Sequence, residues 1–511
     1  MNSLLLYNSL VVGIITTIAS LFIGFVVALW ISGLPAGWRS VCLAAAVVAL
    51  ALPPFLVTNC WLHYFGITGV WHRWLPINIF STAGTIWILT LLFWPVGLFF
   101  VWGAWQRLQP AHIESEPLAR GWPLIRFLLF PLARPAMGQA ALILLVLALN
   151  NFAVPAILQV KVFPAEMWVR FNTTFDTWGA LKQSWPLLLG PLALLTWFTN
   201  REVSWPRRQE LVPPALFRRQ LGLGWFWAGG ACSLFVIVCS VFLPMFEIVS
   251  VSRTWTELPG ALEAGQRALY NSIIYSVAGA SIVMAIALWR VNSSANFAGA
   301  GKGGSRPRTG FLRGICGSAN GVAYALAWLA FLLPGVLLGI GLIHAFNHSW
   351  TAAFYTSAGI VILAYAVRYL ALGIYAAGYA AQSMDRSLAD VARLEGATKR
   401  QMMRFVVWPQ IRRPVSVAWY VLFLLCLWDV ETIVLVVPPG GETLSLRIFN
   451  LLHYGHNAQV NALCFLLVIV GLLPLFTSQV VAWSSSLVRG WGRAGRRPGL
   501  LAACLLAGVL L

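Results

Sequence analysis

The sequence predicts an all-α integral membrane protein with about eleven transmembrane helices, in two parallel five-helix repeats joined by one extra helix. The first observation behind this fold class is composition. Of the 511 residues, 59% are hydrophobic and only 10% are charged, and the mean hydropathy is +0.79, whereas a soluble domain has roughly 25% charged residues. The second is a series of long apolar runs, and the third is an internal repeat.

The apolar runs predict the helices in order along the chain. A helix needs about 20 mostly apolar residues to cross about 30 Å of hydrocarbon. Runs of suitable length lie near residues 7–31, 41–65, 81–105, 135–158, 185–202, 224–250, 269–290, 319–345, 355–380, 415–437 and 461–485.

Positive charge predicts the orientation of these helices. The net charge of +19 could suggest a nucleic-acid partner, but in a membrane protein the position of each Lys and Arg is more informative than their sum. Most of the 34 basic residues fall in loops that alternation places on the same side as residues 382–414. The positive-inside rule therefore predicts that these loops are cytoplasmic and that Met1 is outside.

The internal repeat divides the chain. "YNSLVVGIITTIAS" at 7–20 recurs as "YNSIIYSVAGASIV" at 270–283, "FPLARP" at 130–135 as "WPQIRRP" at 408–414, and "VRFN" at 169–172 as "LRIFN" at 446–450.

Each repeat has five predicted spans, and this odd number would invert the second copy if it followed directly. The span at 224–250 restores the orientation. Parallel repeats place two similar halves around an axis along the membrane normal, with a path between them. We therefore predict a first transmembrane repeat at 1–203, a linker and extra transmembrane helix at 204–252, a second transmembrane repeat at 253–490 and a C-terminal tail at 491–511.

A polar, basic stretch interrupts the second repeat at 388–414. Ser387 and Asp390 form an S-x-x-D pattern that predicts a helix start, and Gly396 follows where a C-terminal residue with positive φ is expected. A second short helix is predicted from 398 to 407, ended by Pro409. Such a segment could dock on another protein, or it could lie on anionic lipid headgroups.

This stretch resembles the EAA loop of ABC-importer permeases. The family pattern is E-A-A, three residues, G, nine residues and I-x-L-P, and both spacings are kept here. The first half carries a divergent copy whose glycine lies three residues closer to its proline. The corresponding residues are Asp390, Val391, Ala392, Gly396, Val406, Trp408 and Pro409 in the second half, and Ser115, Glu116, Pro117, Gly121 and Pro131 in the first.

The resemblance most closely suggests fused two-half permeases of type I importers for ferric iron or thiamine, in a bacterial inner membrane. It implies that coupling helices in both loops dock on cytoplasmic ATP-binding-cassette ATPase subunits and that an external substrate-binding protein delivers the substrate. Asp390 would contact the ATPase, and Gly396 would set the helix angle. The chain itself would be no enzyme, with no catalytic residue and no cofactor of its own, because the partner would hydrolyse ATP.

Few charged residues lie within the apolar runs, where they usually face a cavity or a partner. Arg368 lies in one span, with Asp429 and Glu431 in another, and an ion pair between them would relieve the cost of burying both charges. Fifteen residues beyond Pro135 and Pro414 come Asn150 and Asp429. We predict a translocation path lined by Asn150, Asn151, Arg368, Asp429 and Glu431, although a purely structural ion pair remains open.

Other patterns favour no further chemistry. No GxxxxGK motif followed by Ser or Thr is present, and "GAGKGGS" at 299–305 reads as a flexible linker. The pairs His344 with His348 and His453 with His456 could suggest a metal, but no carboxylate cluster accompanies them and no metal site is predicted. An ion-coupled secondary transporter, or a membrane-embedded enzyme, remains the alternative to a permease.

Overall fold

In a computed structural model the chain is described for residues 3–106, 108–114, 120–174, 212–293, 319–453 and 459–490, together with 179, 189 and 191–193. This part of the chain contains helices and turns and no strand. Its helices are α1 (Ser3–Ser32), α2 (Ala36–Ala51), α3 (Pro54–Phe65), α4 (Thr82–Trp105), α5 (Pro110–Glu114), α6 (Trp122–Leu124), α7 (Phe130–Asn150), α8 (Ala153–Ile157), α9 (Phe163–Thr174), α10 (Pro214–Leu221), α11 (Leu223–Ile237), α12 (Leu243–Ser250), α13 (Ser252–Ser293), α14 (Ala319–Leu332), α15 (Gly335–Phe346), α16 (Ala352–Tyr355), α17 (Ala358–Gln382), α18 (Arg386–Leu394), α19 (Lys399–Met402), α20 (Trp408–Trp428), α21 (Leu444–His453) and α22 (Val460–Gly490).

The predicted all-α membrane fold is confirmed, but the count of eleven spans is not. In the described residues eight helical segments are long and apolar enough to cross a membrane, or nine if α2 and α3 form one broken span. The predicted span at 185–202 lies mostly outside the described residues. The span predicted at 415–437 is helical only as far as Trp428, and the chain then continues in turns.

Two predicted spans are broken at prolines. Helices α2 and α3 meet at an angle of 92°, and the break falls at Leu52 and Pro53. Helices α14 and α15 are separated by Leu333 and Pro334. Proline disfavours the helical conformation of the residue before it, so each break follows from the local sequence.

The helices of the two halves recur in the same order and with the same packing. Helix α1 packs against α4 and α7, and α13 packs against α17 and α20. A Cβ atom added to Gly97 would lie 2.8 Å from the Ser20 carbonyl oxygen, and one added to the equivalent Gly373 would lie 2.5 Å from the Val283 side chain. Glycine therefore permits the close approach of the first and third long helices in both halves.

Within the described part of the chain three π-helical turns interrupt long helices, and each lies immediately before an X-Pro pair. They span Ile125–Leu129, Val238–Phe242 and Met403–Val407 and are followed by Pro131, Pro244 and Pro409. Proline lacks an N–H and its ring clashes with the carbonyl four residues earlier. The wider π turn accommodates the proline, so the helix continues.

The buried side chains form two clusters. The larger cluster contains residues from both halves and surrounds the ends of α7 and α20. The smaller cluster joins the C-terminal parts of α1 and α4 and the N-terminal part of α7 to α10 and α11. The linker between the halves is thus part of the hydrophobic core of the first half.

Candidate functional site

The ends of α7 and α20 have the same local structure. Asn151 follows α7 with φ −69° and ψ 112°, and Asp429 follows α20 with φ −68° and ψ 111°. The side chain of Asn151 accepts the Val154 N–H at 3.1 Å, and that of Asp429 accepts the Thr432 N–H at 2.9 Å. The structural equivalent of Asp429 is therefore Asn151, one residue after the Asn150 that counting from Pro135 and Pro414 selects.

A buried charged cluster surrounds Asp429. Arg368 Nε lies 3.6 Å from Asp429 Oδ2, and Arg368 Nη2 lies 3.2 Å from Glu431 Oε2. The Tyr369 hydroxyl donates to Asp429 Oδ2 at 2.9 Å, and the Thr432 hydroxyl donates to the same oxygen at 2.7 Å. Arg368 thus pairs with both predicted carboxylates, which compensates the cost of burying the three charges.

The same cluster meets the first half at the Leu333 carbonyl, which lies in the break between α14 and α15 of the second half. The Leu333 carbonyl accepts from Asn150 Nδ2 and from Arg368 Nη1, both at 3.3 Å. A Cβ atom added to Gly335 would lie 2.9 Å from Glu431 Cβ. Glycine at position 335 lets the start of α15 approach Glu431. At the break, one side chain from each half donates to the Leu333 carbonyl.

These contacts define what the cluster can do chemically. The Asp429 side chain is completely buried, whereas that of Glu431 is 15% exposed. No group of three or more His, Cys, Asp or Glu residues suited to a metal ion occurs in the described chain. The cluster is a buried polar junction of one cation and two carboxylates between α15, α17 and the ends of α7 and α20.

The second-half loop, which is predicted to be cytoplasmic, forms a short helix followed by a glycine. Helix α18 begins one residue before the predicted capping serine: Asp385 is its N-cap and accepts the Ser387 N–H at 3.0 Å. At the other end Gly396 has a φ of 77°. The Ala397 N–H donates to the Ala392 carbonyl and the Gly396 N–H to the Arg393 carbonyl, which is a Schellman motif.

One side of α18 presents apolar side chains to solvent. Leu388, Val391 and Leu394 are exposed by 52%, 56% and 88%, whereas Ala389 is buried. Asp390 is also exposed and its carboxylate lies 3.4 Å from Arg393 Nη1. The capped helix therefore displays a row of three apolar side chains beside a carboxylate.

The chain after this loop is one long helical element. The predicted end at Pro409 is wrong, since α19, the π turn Met403–Val407 and α20 follow one another without a break. Residues Arg400–Trp428 together are long and apolar enough to form one membrane span. At 1.5 Å per residue the element is about 45 Å long, and it joins the Gly396 end of the loop directly to Asp429.

The first-half loop has a different environment. Ser115 and Glu116 lie outside the described residues. Gly121 has a φ of 63° and its N–H donates to the Gln220 carbonyl of α10 at 2.9 Å. Trp122 stacks on Trp225 with ring centroids 5.8 Å apart. The linker thus holds this loop, and Pro131 lies inside α7 just after the π turn.

A further buried acidic residue, Glu247 in α12, was not singled out by the sequence patterns. Asn59 Nδ2 donates to Asn461 Oδ1 at 2.6 Å, and Asn461 Nδ2 donates to Glu247 Oε1 at 3.3 Å. These residues join α3, α12 and α22. The available signal was an acidic residue inside the apolar run 224–250.

The histidine pairs do not form a cluster with acidic residues in the described chain. His344 and His348 are exposed, and His453 stacks on Phe449. His456 and the "GAGKGGS" segment at 299–305 lie outside the described residues.

Comparisons with known proteins relate this architecture to transport permeases. Residues 311–485 match the family described as the binding-protein-dependent transport system inner membrane component. An Fe(3+)-transport system permease protein of Haemophilus influenzae is 20% identical over 485 residues, 92% of this chain and 88% of that protein.

Two further relatives are also permeases. A ferric transport system permease protein of Actinobacillus pleuropneumoniae is 22% identical over 435 residues, 80% of this chain and 58% of that protein. A spermidine/putrescine transport system permease protein of Escherichia coli is 28% identical over 101 residues, 20% of this chain and 38% of that protein. The match over residues 311–485, the relatives and the EAA-like loop together make the chain similar to inner-membrane permeases of binding-protein-dependent, type I ABC transport systems.

Proposed function

We propose that this permease forms the translocation path of an importer whose partners are cytoplasmic ATPase subunits and an external substrate-binding protein. The observation that carries the proposal is the solvent-exposed apolar row of α18, closed by Gly396 and joined by a continuous helix to the Asp429 cluster. Exposed apolar rows beside charged groups are typical of protein interfaces. In this proposal the chain binds no cofactor and the partner consumes ATP.

The long element from Lys399 to Trp428 provides a mechanism. A displacement of α18 by an ATPase subunit would be transmitted along about 45 Å of helix to the junction of Asp429, Arg368 and Leu333. This junction contacts Asn150 of the first half. ATP-driven motion of the loop would therefore change how the two halves meet at the path.

Capture of the ATPase tests the docking surface. We expect Leu394→Asp to reduce co-purification of the ATPase subunit with the permease by at least tenfold, because a charge would be placed in an apolar contact. Ile67→Asp is a matched control, since Ile67 is also strongly exposed, at 80%, but lies in a loop predicted to be outside. Unchanged capture by the Leu394 variant, in a well-folded protein, would contradict docking through α18.

For the substrate we propose ferric iron. Support comes from the two ferric permease relatives and from oxygen donors near the path, which Fe(III) prefers among protein ligands. These donors are Asn150, Asn151, Asp429 and Glu431, of which Glu431 is partly accessible. Thiamine is the second candidate, because an organic cation suits aromatic faces beside a carboxylate and Phe152 and Trp428 adjoin these residues.

Uptake measurements distinguish the two substrates. Cells producing the complete transporter would be supplied with radiolabelled iron or thiamine, using wild type and Glu431→Gln. We expect ATP-dependent iron uptake in wild type and slower uptake in the variant, because it removes the accessible carboxylate. Thiamine uptake without iron uptake would overturn the iron assignment, and normal iron uptake by Glu431→Gln would remove Glu431 from the path.

A further inference from the structure

The repeated Tyr-Asn-Ser motif has the same structural role in both halves. Ser9 Oγ accepts the N–H of Phe163 at 2.8 Å, and Ser272 Oγ accepts the N–H of Leu444 at 2.7 Å. Phe163 and Leu444 are the first residues of α9 and α21. The first N–H groups of a helix have no partner within it, so each serine acts as a capping group supplied by a distant helix.

The preceding asparagine of each motif supports the same connection. Asn8 Nδ2 donates to the Lys161 carbonyl at 3.1 Å. Asn271 Nδ2 donates to the carbonyls of Gly440 and Glu442 at 2.9 and 3.1 Å. Each Asn-Ser pair therefore fixes both the start of the outer helix and the segment leading into it.

The two anchored helices meet beside the candidate path. Trp168 of α9 and Phe449 of α21 have ring centroids 6.5 Å apart. Phe152 packs against both rings, with centroid distances of 6.0 Å to Trp168 and 5.4 Å to Phe449. Phe152 follows Asn151 directly, so this aromatic group lies next to the end of α7 and close to the polar junction.

We propose that Ser9 and Ser272 are positioning residues for an aromatic closure of the outer end of the path, formed by Phe152, Trp168 and Phe449. Each serine holds one of the two outer helices on the first long helix of its own half. Relative movement of those long helices during transport would separate Trp168 from Phe449. The inference rests on the proposed function, because it assumes that the path lies between the halves.

Accessibility of a buried cysteine next to the closure tests this role without ATP, substrate or partner. Ala153 is 4% exposed and is adjacent to Phe152. In a background without reactive native cysteines, Ala153→Cys would be labelled from outside with an impermeant thiol reagent. We expect slow labelling when both serines are present and at least tenfold faster labelling in Ser9→Ala with Ser272→Ala, which corresponds to about 1.4 kcal/mol.

Ser276→Ala is the matched control. Ser276 lies one turn after Ser272, is equally buried, and its hydroxyl has no hydrogen-bond partner. Labelling of the control should stay at the parent rate, and Ser9→Thr with Ser272→Thr, which keeps both hydroxyls, should label more slowly than the alanine pair. Thermal denaturation in detergent would verify folding, and the two single alanine variants replace the pair if it does not fold.

Hydrogen exchange measures the capping directly. In Ser272→Ala we expect the backbone amides around Leu444 to exchange faster, with no change in Ser276→Ala. Unchanged labelling in folded serine variants, or an equal increase in the Ser276 control, would overturn the inference. Failure to capture an ATPase would instead contradict the proposed function and would leave these labelling rates interpretable.

Discussion

The two loops that match the EAA pattern, both predicted to be cytoplasmic, have opposite environments in the structure. In the second half, α18 exposes Leu394 and its neighbours to solvent. In the first half, Gly121 is hydrogen-bonded to the linker helix α10 and Trp122 is stacked on Trp225. The comparison shows that a repeated loop can remain exposed in one copy and be bound to its own chain in the other.

The same asymmetry occurs at the other end of the long helices. Arg368 lies eleven residues after the capping Ser357, and the residue eleven after the equivalent Ser81 is the buried Leu92. Asp429 likewise corresponds to the neutral Asn151. The second half thus carries both the exposed loop and the buried charges, and we infer that it has the larger part in coupling.

The largest expected effect is that of Arg368→Leu, which gives the second half the first half's residue. Two buried carboxylates would lose their cation, and breaking a buried ion pair in this way costs about 3–5 kcal/mol. We expect a strongly lowered thermal denaturation temperature in detergent and loss of uptake. Denaturation at the wild-type temperature would show that the cluster contributes little to stability.

Arg368→Leu combined with Asp429→Asn refines this test. The Asp429→Asn substitution removes one of the two carboxylates that Arg368→Leu leaves unpaired. The double variant should therefore be more stable than Arg368→Leu alone. Residues in one network have non-additive effects. Additive losses in the two variants would indicate that the ion pair seen in the structure is not energetically coupled.

The next effect compares the glycines of the two loops. Proline cannot adopt the φ of 77° at Gly396 or of 63° at Gly121. We expect Gly396→Pro to lower ATPase capture and uptake about tenfold while membrane insertion persists. Gly121→Pro also loses the N–H that donates to Gln220, so we expect it to lower thermal stability more than capture. Equal losses of capture in both variants would remove the difference between the loops.

The smallest effect is expected at the neutral helix end. Asn151→Ala removes one hydrogen bond to the Val154 N–H, which is worth about 1 kcal/mol. Asp429→Ala removes bonds to Thr432 and Tyr369 and leaves Arg368 with one carboxylate. The difference between the two denaturation temperatures measures how far charge distinguishes the halves. Asn151→Ala should have the smaller shift.

Sequence alone predicted the features that depend on composition or on local spacing. The all-α membrane fold, the permease resemblance and the positive φ of Gly396 follow from apolar runs and from a helix that ends at glycine. The end predicted at Pro409 is wrong because a π turn accommodates the proline. That compensation depends on several backbone groups, and residue spacing does not reveal it.

Two other differences come from ambiguity between neighbouring residues. Asp385 caps α18 although Ser387 fits the same pattern, because an aspartate side chain two residues earlier can also accept a helix N–H. Asn151 matches Asp429 although counting from prolines selected Asn150. The trans-capping by Ser9 and Ser272 was visible only as a repeated tripeptide, since its partners Phe163 and Leu444 are distant in sequence.

Photo-crosslinking from the two loops is the most direct test of the account's central claim, that the second-half loop binds the ATPase while the linker holds the first. A photo-reactive amino acid would replace Leu394 in one variant and Trp122 in another, with the ATPase subunit present in both. We predict efficient crosslinking to the ATPase from position 394 and, from position 122, crosslinking mainly within the permease. Efficient crosslinking to the ATPase from position 122 and none from position 394 would contradict the account.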